Sequence, residues 1–211
     1  DGSLHYIEVT FNTIRNGWNK ENIGSHIVRN NEISHCEQTG ICGSMGAAFS
    51  LIENNHIHDI WVKRQFTGAE IGGIKFHAAV DTRIVHNRIH NAGRALWLDW
   101  MTQGTRVSGN LFYDNDMEDL FLEVNHGPFL VDNNIFASRR SILEQSQGGA
   151  YVHNLIAGDI YRYVEHGRYT PYFLPHSTEV AGLSIIPGGD DRYINNLFAT
   201  VLPVTEGENK R

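Results

Sequence analysis

The sequence predicts an all-β chain folded as a right-handed parallel β-helix, a solenoid of about eight or nine rungs. Three observations predict it: an asparagine motif that recurs every twenty-odd residues, short β-branched runs with little helical periodicity, and 21 glycines against five prolines in 211 residues. A repeat of that length with extended character is typical of strands that coil around one axis.

The motif has the form V-x-x-N-x-hydrophobic. Its asparagines are Asn12, Asn31, Asn55, Asn87, Asn110, Asn134, Asn154 and Asn196, at intervals of 19, 24, 32, 23, 24, 20 and 42 residues. Asparagine suits a corner, because it tolerates the left-handed backbone and its amide can bond the same amide on the next rung. Leucine-rich repeats have a similar length, but their L-x-x-L-x-L spacing and helical return segment are not visible in the sequence.

The repeat also predicts how the chain is organised. Residues 1–200 are expected to form the β-helix and residues 201–211 a polar tail or linker. The two longest intervals predict extra loops at residues 60–70 and 165–180, and long loops on a solenoid are where binding surfaces are built. The chain starts within the solenoid pattern, with no recognisable cap, which predicts that it is a portion of a larger protein.

Composition excludes several classes of partner. The net charge of −7 and the lack of a basic block argue against nucleic acid. No stretch approaches 18 apolar residues and the first residues do not resemble a signal peptide, so a soluble protein is expected, cytoplasmic or secreted, without a membrane partner. The sequence is compatible with a homo-oligomer and does not decide the oligomeric state. Cys36 and Cys42 are too few for a disulfide framework and are predicted to be buried, reduced thiols.

A second strand follows the asparagine corner in GGIKFHA, RALWLDW, DLFLEVN and RSILEQS. Period-2 alternation predicts an inward set of aliphatic and aromatic side chains: Ile74, Phe76, Leu96, Leu98, Leu120 and Leu122. The predicted outward set is Lys75, His77, Trp97, Asp99, Phe121, Glu123, Ile142 and Glu144.

Asp99 and Glu123 end two of these strands, 24 residues apart. Neighbouring rungs lie ~4.7–4.9 Å apart, so the two carboxylates repel each other unless one keeps its proton. Retaining glycosidases need two carboxyl groups about 5–5.5 Å apart, one as nucleophile and one as acid/base. A solvated acidic face has the same spacing, and Glu144 follows one rung later, so the interval alone does not decide.

The residues around this pair suit a carbohydrate. Trp97 is predicted to be an apolar platform for a sugar ring. Lys75, His77, Asn125 and His126 are predicted to supply hydrogen-bond donors for sugar hydroxyl groups.

Residues 68–136, with WLDW followed by LEVNHGP, resemble glycoside hydrolase family 120, β-xylosidases built on a parallel β-helix. The resemblance implies a retaining, exo-acting enzyme that releases xylose from the non-reducing ends of xylo-oligosaccharides. It implies Asp99 as nucleophile, Glu123 as acid/base, Glu70 and Lys75 as sugar contacts, and no cofactor. Family members are longer, with an inserted β-sandwich and N-terminal residues in the sugar pocket. The rest of the pocket is therefore expected from segments outside this chain.

Two other functions stay open, a polysaccharide lyase or epimerase and a non-catalytic carbohydrate-binding or structural β-helix. YDNDMED, residues 113–119, invites a calcium site but lacks the EF-hand pattern, and a solvated acidic corner is predicted. His56 and His58 share a strand face without a third ligand at a defined spacing. These histidines, like His86 and His90, are predicted to be surface residues, and no metal site is expected.

Overall fold

The computed structural model describes residues 17–66 and 70–199, and every regular element within them is a β-strand. In chain order the strands are β1 (Ile27–Arg29), β2 (Glu32–Ser34), β3 (Thr39–Ser44), β4 (Leu51–Glu53), β5 (His56–His58), β6 (Gly72–His77), β7 (Arg83–Val85), β8 (Arg88–His90), β9 (Leu96–Leu98), β10 (Arg106–Ser108), β11 (Leu111–Tyr113), β12 (Glu118–Leu122), β13 (Phe129–Asp132), β14 (Ile135–Phe136), β15 (Arg140–Glu144), β16 (Gly149–Val152), β17 (Leu155–Ile156), β18 (Asp159–Arg162), β19 (Tyr169–Phe173), β20 (Val180–Ile185), β21 (Arg192–Ile194) and β22 (Leu197–Phe198).

Three parallel sheets run along the solenoid. Sheet A has the order β1-β4-β7-β10-β13-β16-β21, sheet B the order β2-β5-β8-β11-β14-β17-β22, and sheet C the order β3-β6-β9-β12-β15-β18. Each coil adds one strand to each sheet, which gives six complete coils and two strands of a seventh. The prediction of a parallel solenoid is confirmed. The repeat around Asn12 and the predicted tail at 201–211 lie outside the described residues.

The interior is filled by side chains stacked coil upon coil. Ile74, Leu96, Leu120 and Ile142 occupy one register position of sheet C, and all are fully buried. Burial of each such side chain contributes about 1.5–3 kcal/mol. The predicted inward set is confirmed.

The predicted outward positions of Ile142 and Glu144 are wrong. β12 pairs with β15 at an offset of 22 residues, so Glu144 is the neighbour of Leu122 and lies inside the coil, fully buried. Glu144 follows Glu123 by an odd number of residues, 21, and a one-residue slip moves a side chain to the opposite face of a sheet.

An asparagine ladder closes the corner between sheets A and B. The side-chain oxygen of Asn87 accepts bonds from the backbone and side-chain amides of Asn55, both 3.0 Å long, and Asn110 does the same for Asn87. The sequence predicted this stacking, but the left-handed backbone belongs to the preceding residue. At the corners that carry the motif those residues are Asn30, Asn54, His86, Gly109, Asn133, His153 and Asn195, with φ of 52–67°.

The second long interval contains an antiparallel hairpin formed by β19 and β20. It packs on the solenoid through Gln103, whose side chain donates to the carbonyl of Phe173 (2.9 Å) and accepts from its amide (3.0 Å). The first long interval leads from β5 to β6 and ends at Glu70, just before the strand that carries Lys75. None of the described residues forms a helix long and apolar enough to cross a membrane.

Two smaller predictions require correction. Both cysteines are free, as expected, but Cys42 is exposed and Cys36 is only partly buried. In YDNDMED, Asp119 is buried and accepts hydrogen bonds from Asn115 and Ser138, whereas Asp116 points out toward Arg64. The corner is therefore not a uniformly solvated one, and its carboxylates diverge instead of converging on a cation.

Candidate active site

Asp99 and Glu123 occupy the same position on successive coils. Leu98 and Leu122 are register partners, and each carboxylate follows one of them directly. The backbone amide of Glu123 bonds the carbonyl of Leu98 (2.9 Å), so the parallel ladder continues to the pair. The backbone turns after each of the two strands, with positive φ at Met101 and at Val124. The two side chains therefore emerge together at the same edge of sheet C.

Asp99 is buried among hydrogen-bond donors. Its Oδ2 lies 2.9 Å from Lys75 Nζ and 2.9 Å from His77 Nε2, and its Oδ1 accepts the backbone amide of Trp100 at 2.7 Å. Burial alone would raise the pKa of Asp99, but the bond to His77 and the charge of Lys75 outweigh it and hold that pKa well below its ordinary value. Asp99 is ionised at neutral pH.

Glu123 has the opposite electrostatic setting. Burial and the negative charge of Asp99 raise the pKa of Glu123, although Arg168 and the indole of Trp97 oppose the shift. Trp97 Nε1 donates to Oε2 at 2.9 Å, and the Arg168 guanidinium contacts Oε1. The two neighbouring carboxyl groups therefore differ in how readily they hold a proton.

Arg168 connects the two carboxyl groups. Its guanidinium contacts Glu123 and lies 3.7 Å from Asp99 Oδ1. It precedes β19 and so comes from the long interval that was predicted to hold a binding loop. Sequence reasoning did not single out Arg168, because a lone arginine in a loop has no characteristic spacing. The 42-residue interval that contains it indicated a loop but not this residue.

Three of the predicted sugar contacts gather around Asp99. Glu70 Oε1 accepts from Lys75 Nζ at 2.7 Å and lies 3.8 Å from His77 Nε2. Lys75, however, is 0% exposed and donates to Glu70 and Asp99. Its charge is balanced by these two carboxylates, and its side chain is not exposed in this structure.

Trp97 is in the site, but it is not the predicted platform. It is 7% exposed, and its ring stacks on Phe121 with the centroids 5.2 Å apart, while the Lys75 ammonium lies 4.5 Å from its centre. With little of the ring open to a sugar, Trp97 contributes its N–H to Glu123.

Asn125 and His126 are turned away from the carboxylates, which corrects their predicted role. Asn125 is fully buried; its Oδ1 accepts from the Thr102 amide at 2.7 Å and its Nδ2 donates to the Leu98 carbonyl at 3.0 Å. His126 Nε2 bonds the carbonyl of Thr170 at 2.8 Å. Asn125 closes a corner and His126 holds the hairpin, so neither offers a donor to the site.

A protein family described as the right-handed β-helix region matches residues 2–156. The chain belongs to this right-handed β-helix family. Its predicted handedness is thereby confirmed. A search of curated proteins found no match for this β-helix.

Among solved structures, this β-helix is similar to XylC, determined in complex with xylose. The two share 56% sequence identity with a TM-score of 0.91, over 93% of this chain. The matched part is 31% of the XylC chain, so this β-helix spans about a third of that protein's length.

Chemically, the site presents an ionised carboxylate beside a carboxyl group that is biased toward its protonated form. Such a pair can supply a nucleophile and a proton donor to one substrate bond. The bond to His77 and the charge of Lys75 lower the pKa of the first group, and burial and the charge of Asp99 raise the pKa of the second.

Proposed function

We propose that this chain carries the catalytic centre of a retaining, exo-acting β-xylosidase of the glycoside hydrolase family 120 type. The observation that carries the proposal is the placement of Asp99 and Glu123 at the same position of adjacent coils, where their surroundings displace their pKa values in opposite directions. A double displacement needs a nucleophile that is ionised and an acid that is protonated at the same pH.

In the first step, the Asp99 carboxylate attacks the anomeric carbon while the bond to the leaving-group oxygen breaks and Glu123 gives that oxygen its proton. A covalent xylosyl ester forms on Asp99. In the second step, Glu123 takes a proton from water as the water attacks the anomeric carbon and releases Asp99. Lys75 and His77 keep Asp99 ionised between turnovers.

Xylose as the sugar is supported by the similarity to XylC, which was solved with xylose bound. Exo action needs a pocket that is closed at one end. The two long intervals are suited to close it, because each brings a charged side chain to the carboxylate pair. Glu70 comes from the first and Arg168 from the second. The remaining pocket wall is proposed to come from segments beyond this third of the XylC-like length.

A polysaccharide lyase is less well supported. Such an enzyme needs a free lysine or arginine base and commonly a calcium ion held by open carboxylates. Here the Lys75 ammonium is fully buried and bonded to two carboxylates, and Asp99 is itself enclosed by donors. Neither group is available for that chemistry.

The roles can be tested with a chromogenic aryl β-xyloside and substitutions of the two carboxylates. Asp99→Asn is expected to abolish turnover, because no nucleophile remains. Glu123→Ala is expected to keep part of its activity on an aryl leaving group, which needs little protonation, and to lose it on xylobiose. Asp114→Asn, an exposed corner aspartate, is the matched control and is expected to be fully active.

Added azide separates the two roles. In Glu123→Ala, azide should attack the xylosyl ester and give the β-xylosyl azide, whereas a nucleophile variant should give the α-azide. Product analysis by proton NMR should show net retention in the unchanged protein. Inversion, or an active Asp99→Asn variant, would contradict the proposal, and turnover of a polyuronate in place of the xyloside would favour the lyase.

A further inference from the structure

A histidine cluster lies on sheet B, away from the carboxylate pair on sheet C. His58 and His90 are register partners on β5 and β8, and His56 is on the same face of β5 two residues earlier. One ring nitrogen from each histidine lies within 4.8 Å of one from each of the others. Glu32, the register partner of His56 on β2, lies beside the group and contacts His58.

Hydrogen bonds fix which nitrogen of two rings faces the cluster. His90 Nδ1 bonds the side-chain oxygen of Asn91, and His58 Nδ1 lies 2.7 Å from Asp59 Oδ2. Because these oxygens are acceptors, each Nδ1 carries the proton and each Nε2 of the neutral ring presents a lone pair. A carboxylate or carbonyl behind a ligating histidine is the usual outer shell of a metal site.

The Nε2 atoms of these rings lie close to one another and to a carboxylate. His90 Nε2 lies 2.8 Å from His56 Nε2, and His58 Nε2 lies 3.2 Å from Glu32 Oε1. A proton bridges each contact, with His56 Nε2 donating to His90 Nε2 and His58 Nε2 donating to Glu32, and a divalent cation can take the place of these protons. The neighbouring Arg88 does not fill this place, because its guanidinium bonds the hydroxyl of Tyr113.

We propose that His56, His58 and His90, with Glu32 as fourth ligand, bind one divalent transition-metal ion such as Zn²⁺. Zinc–nitrogen distances of about 2.0–2.1 Å in a tetrahedral site place neighbouring ligand atoms roughly 3.3–3.5 Å apart. The observed 2.8 and 3.2 Å separations need only small side-chain movements to reach that geometry. His56 accommodates the ion by moving its proton to Nδ1, and the ion displaces the proton between His58 Nε2 and Glu32 into solvent.

The ion would fasten three successive coils of sheet B through β2, β5 and β8. Sequence reasoning missed the site because it looked for a third ligand at a local spacing. His90 is 34 residues from His56, and only the coil between them brings the two together.

The test uses untagged protein that has been treated with a chelator and then titrated with Zn²⁺ in a calorimeter. One equivalent is expected to bind and to raise the Tm. Asp59→Asn should weaken zinc binding by about 10- to 100-fold, and His90→Gln should weaken it further. The control is His153→Asn, which removes an exposed corner histidine outside the cluster and should bind zinc unchanged.

Cu²⁺ in place of Zn²⁺ gives an independent readout, because its electron paramagnetic resonance spectrum should show coupling to several imidazole nitrogens. That coupling should be reduced in His58→Gln as well as in His90→Gln, so the result does not rest on the folding of one variant. No uptake in molar excess of Zn²⁺, or equal affinity in His90→Gln and the unchanged protein, would overturn the proposal.

Discussion

Lys75 is the residue on which the charge balance of the candidate site depends. Its side chain is 0% exposed and its ammonium lies 2.7 Å from Glu70 and 2.9 Å from Asp99. Removing one partner from a buried ion pair leaves the other charge uncompensated, which costs more than the pair itself contributes.

Lys75→Met should therefore lower the free energy of unfolding by about 3–5 kcal/mol at neutral pH. Lys63→Met, at an exposed loop position, should change it by less than about 0.5 kcal/mol. Urea unfolding of the two variants in parallel measures the difference. Equal midpoints for both would mean that the carboxylates do not depend on this cation.

Arg168 should set the alkaline side of the activity profile. Its positive charge lowers the pKa of Glu123, so Arg168→Met should raise that pKa. The proposed acid is active when protonated, so the basic limb of kcat/KM should then move to higher pH, and the one-third exposure of Arg168 limits the size of that move. Arg192→Met, a surface arginine, should leave the limb in place; a shift to lower pH in Arg168→Met would contradict this role.

At the scale of the element, the asparagine ladder is the device that keeps the coils in register. Asn110 accepts two hydrogen bonds from Asn87 and donates to Asn134 and to the Ile84 carbonyl, all between 2.8 and 3.0 Å. Every one of these groups is buried away from water, so each needs its partner.

Asn110→Ala should destabilise the protein by at least about 3 kcal/mol, because several buried donors and acceptors lose their partners at about 1–3 kcal/mol each. The control is Asn133→Gly, at an exposed corner residue with φ of 56°, where glycine adopts the backbone without strain. It should cost less than about 1 kcal/mol. Comparable losses in thermal unfolding would show that the ladder is not what holds the corner.

Local patterns predicted the carboxylate pair, but not everything around it. The asparagine motif and period-2 alternation both act over one coil, so the 24 residues between Asp99 and Glu123 placed them correctly on adjacent coils, where β9 and β12 pair at the same offset. Glu144 was misplaced because the step from β12 to β15 is 22 residues, which pairs Glu144 with Leu122 and not with Glu123. Arg168 was not singled out and His90 was predicted to be a surface residue, because their neighbours are set by hairpin packing and coil stacking and not by any local spacing.

At the scale of the whole molecule, the interior carries a carboxyl group that opposes folding as the pH rises. Glu144 lies inside the solenoid with Oε2 unpartnered, while Oε1 accepts the Ser146 amide at 2.6 Å. Burial, together with the charge of Asp191, raises the pKa of Glu144 from 4.5 to about 8. Between these values the folded protein keeps a proton that the unfolded chain releases, so stability falls as the pH rises.

Glu144→Gln removes this ionisation while keeping the acceptor for Ser146. The variant and the unchanged protein should be similarly stable at pH 5, and the variant should be more stable at pH 8 by about 2–5 kcal/mol. Chemical denaturation at both pH values measures this. Asp119, whose pKa burial raises to about 6, titrates in both proteins and cancels from the comparison. A difference that does not depend on pH would mean that Glu144 is not protonated in the fold.

The repeat of the whole molecule predicts its fold better than its substrate. The repeat identified a β-helix, and the family match agrees. The assignment of xylose as the sugar depends on the family resemblance and on the similarity to XylC, of which this chain matches 31%. Repetition specifies the scaffold, but pocket shape depends on segments that break the repeat, so the fold was more predictable than the specificity.

The central claim is that Asp99 is the nucleophile and Glu123 its neighbouring acid/base. A 2-deoxy-2-fluoro-β-xyloside with a good leaving group slows the second step and should trap the glycosyl ester. Mass spectrometry of the digested protein should then find one fluoroxylosyl group per chain, on the peptide that contains Asp99. A label on Glu123 or on another residue, or turnover that proceeds without any label, would contradict the claim.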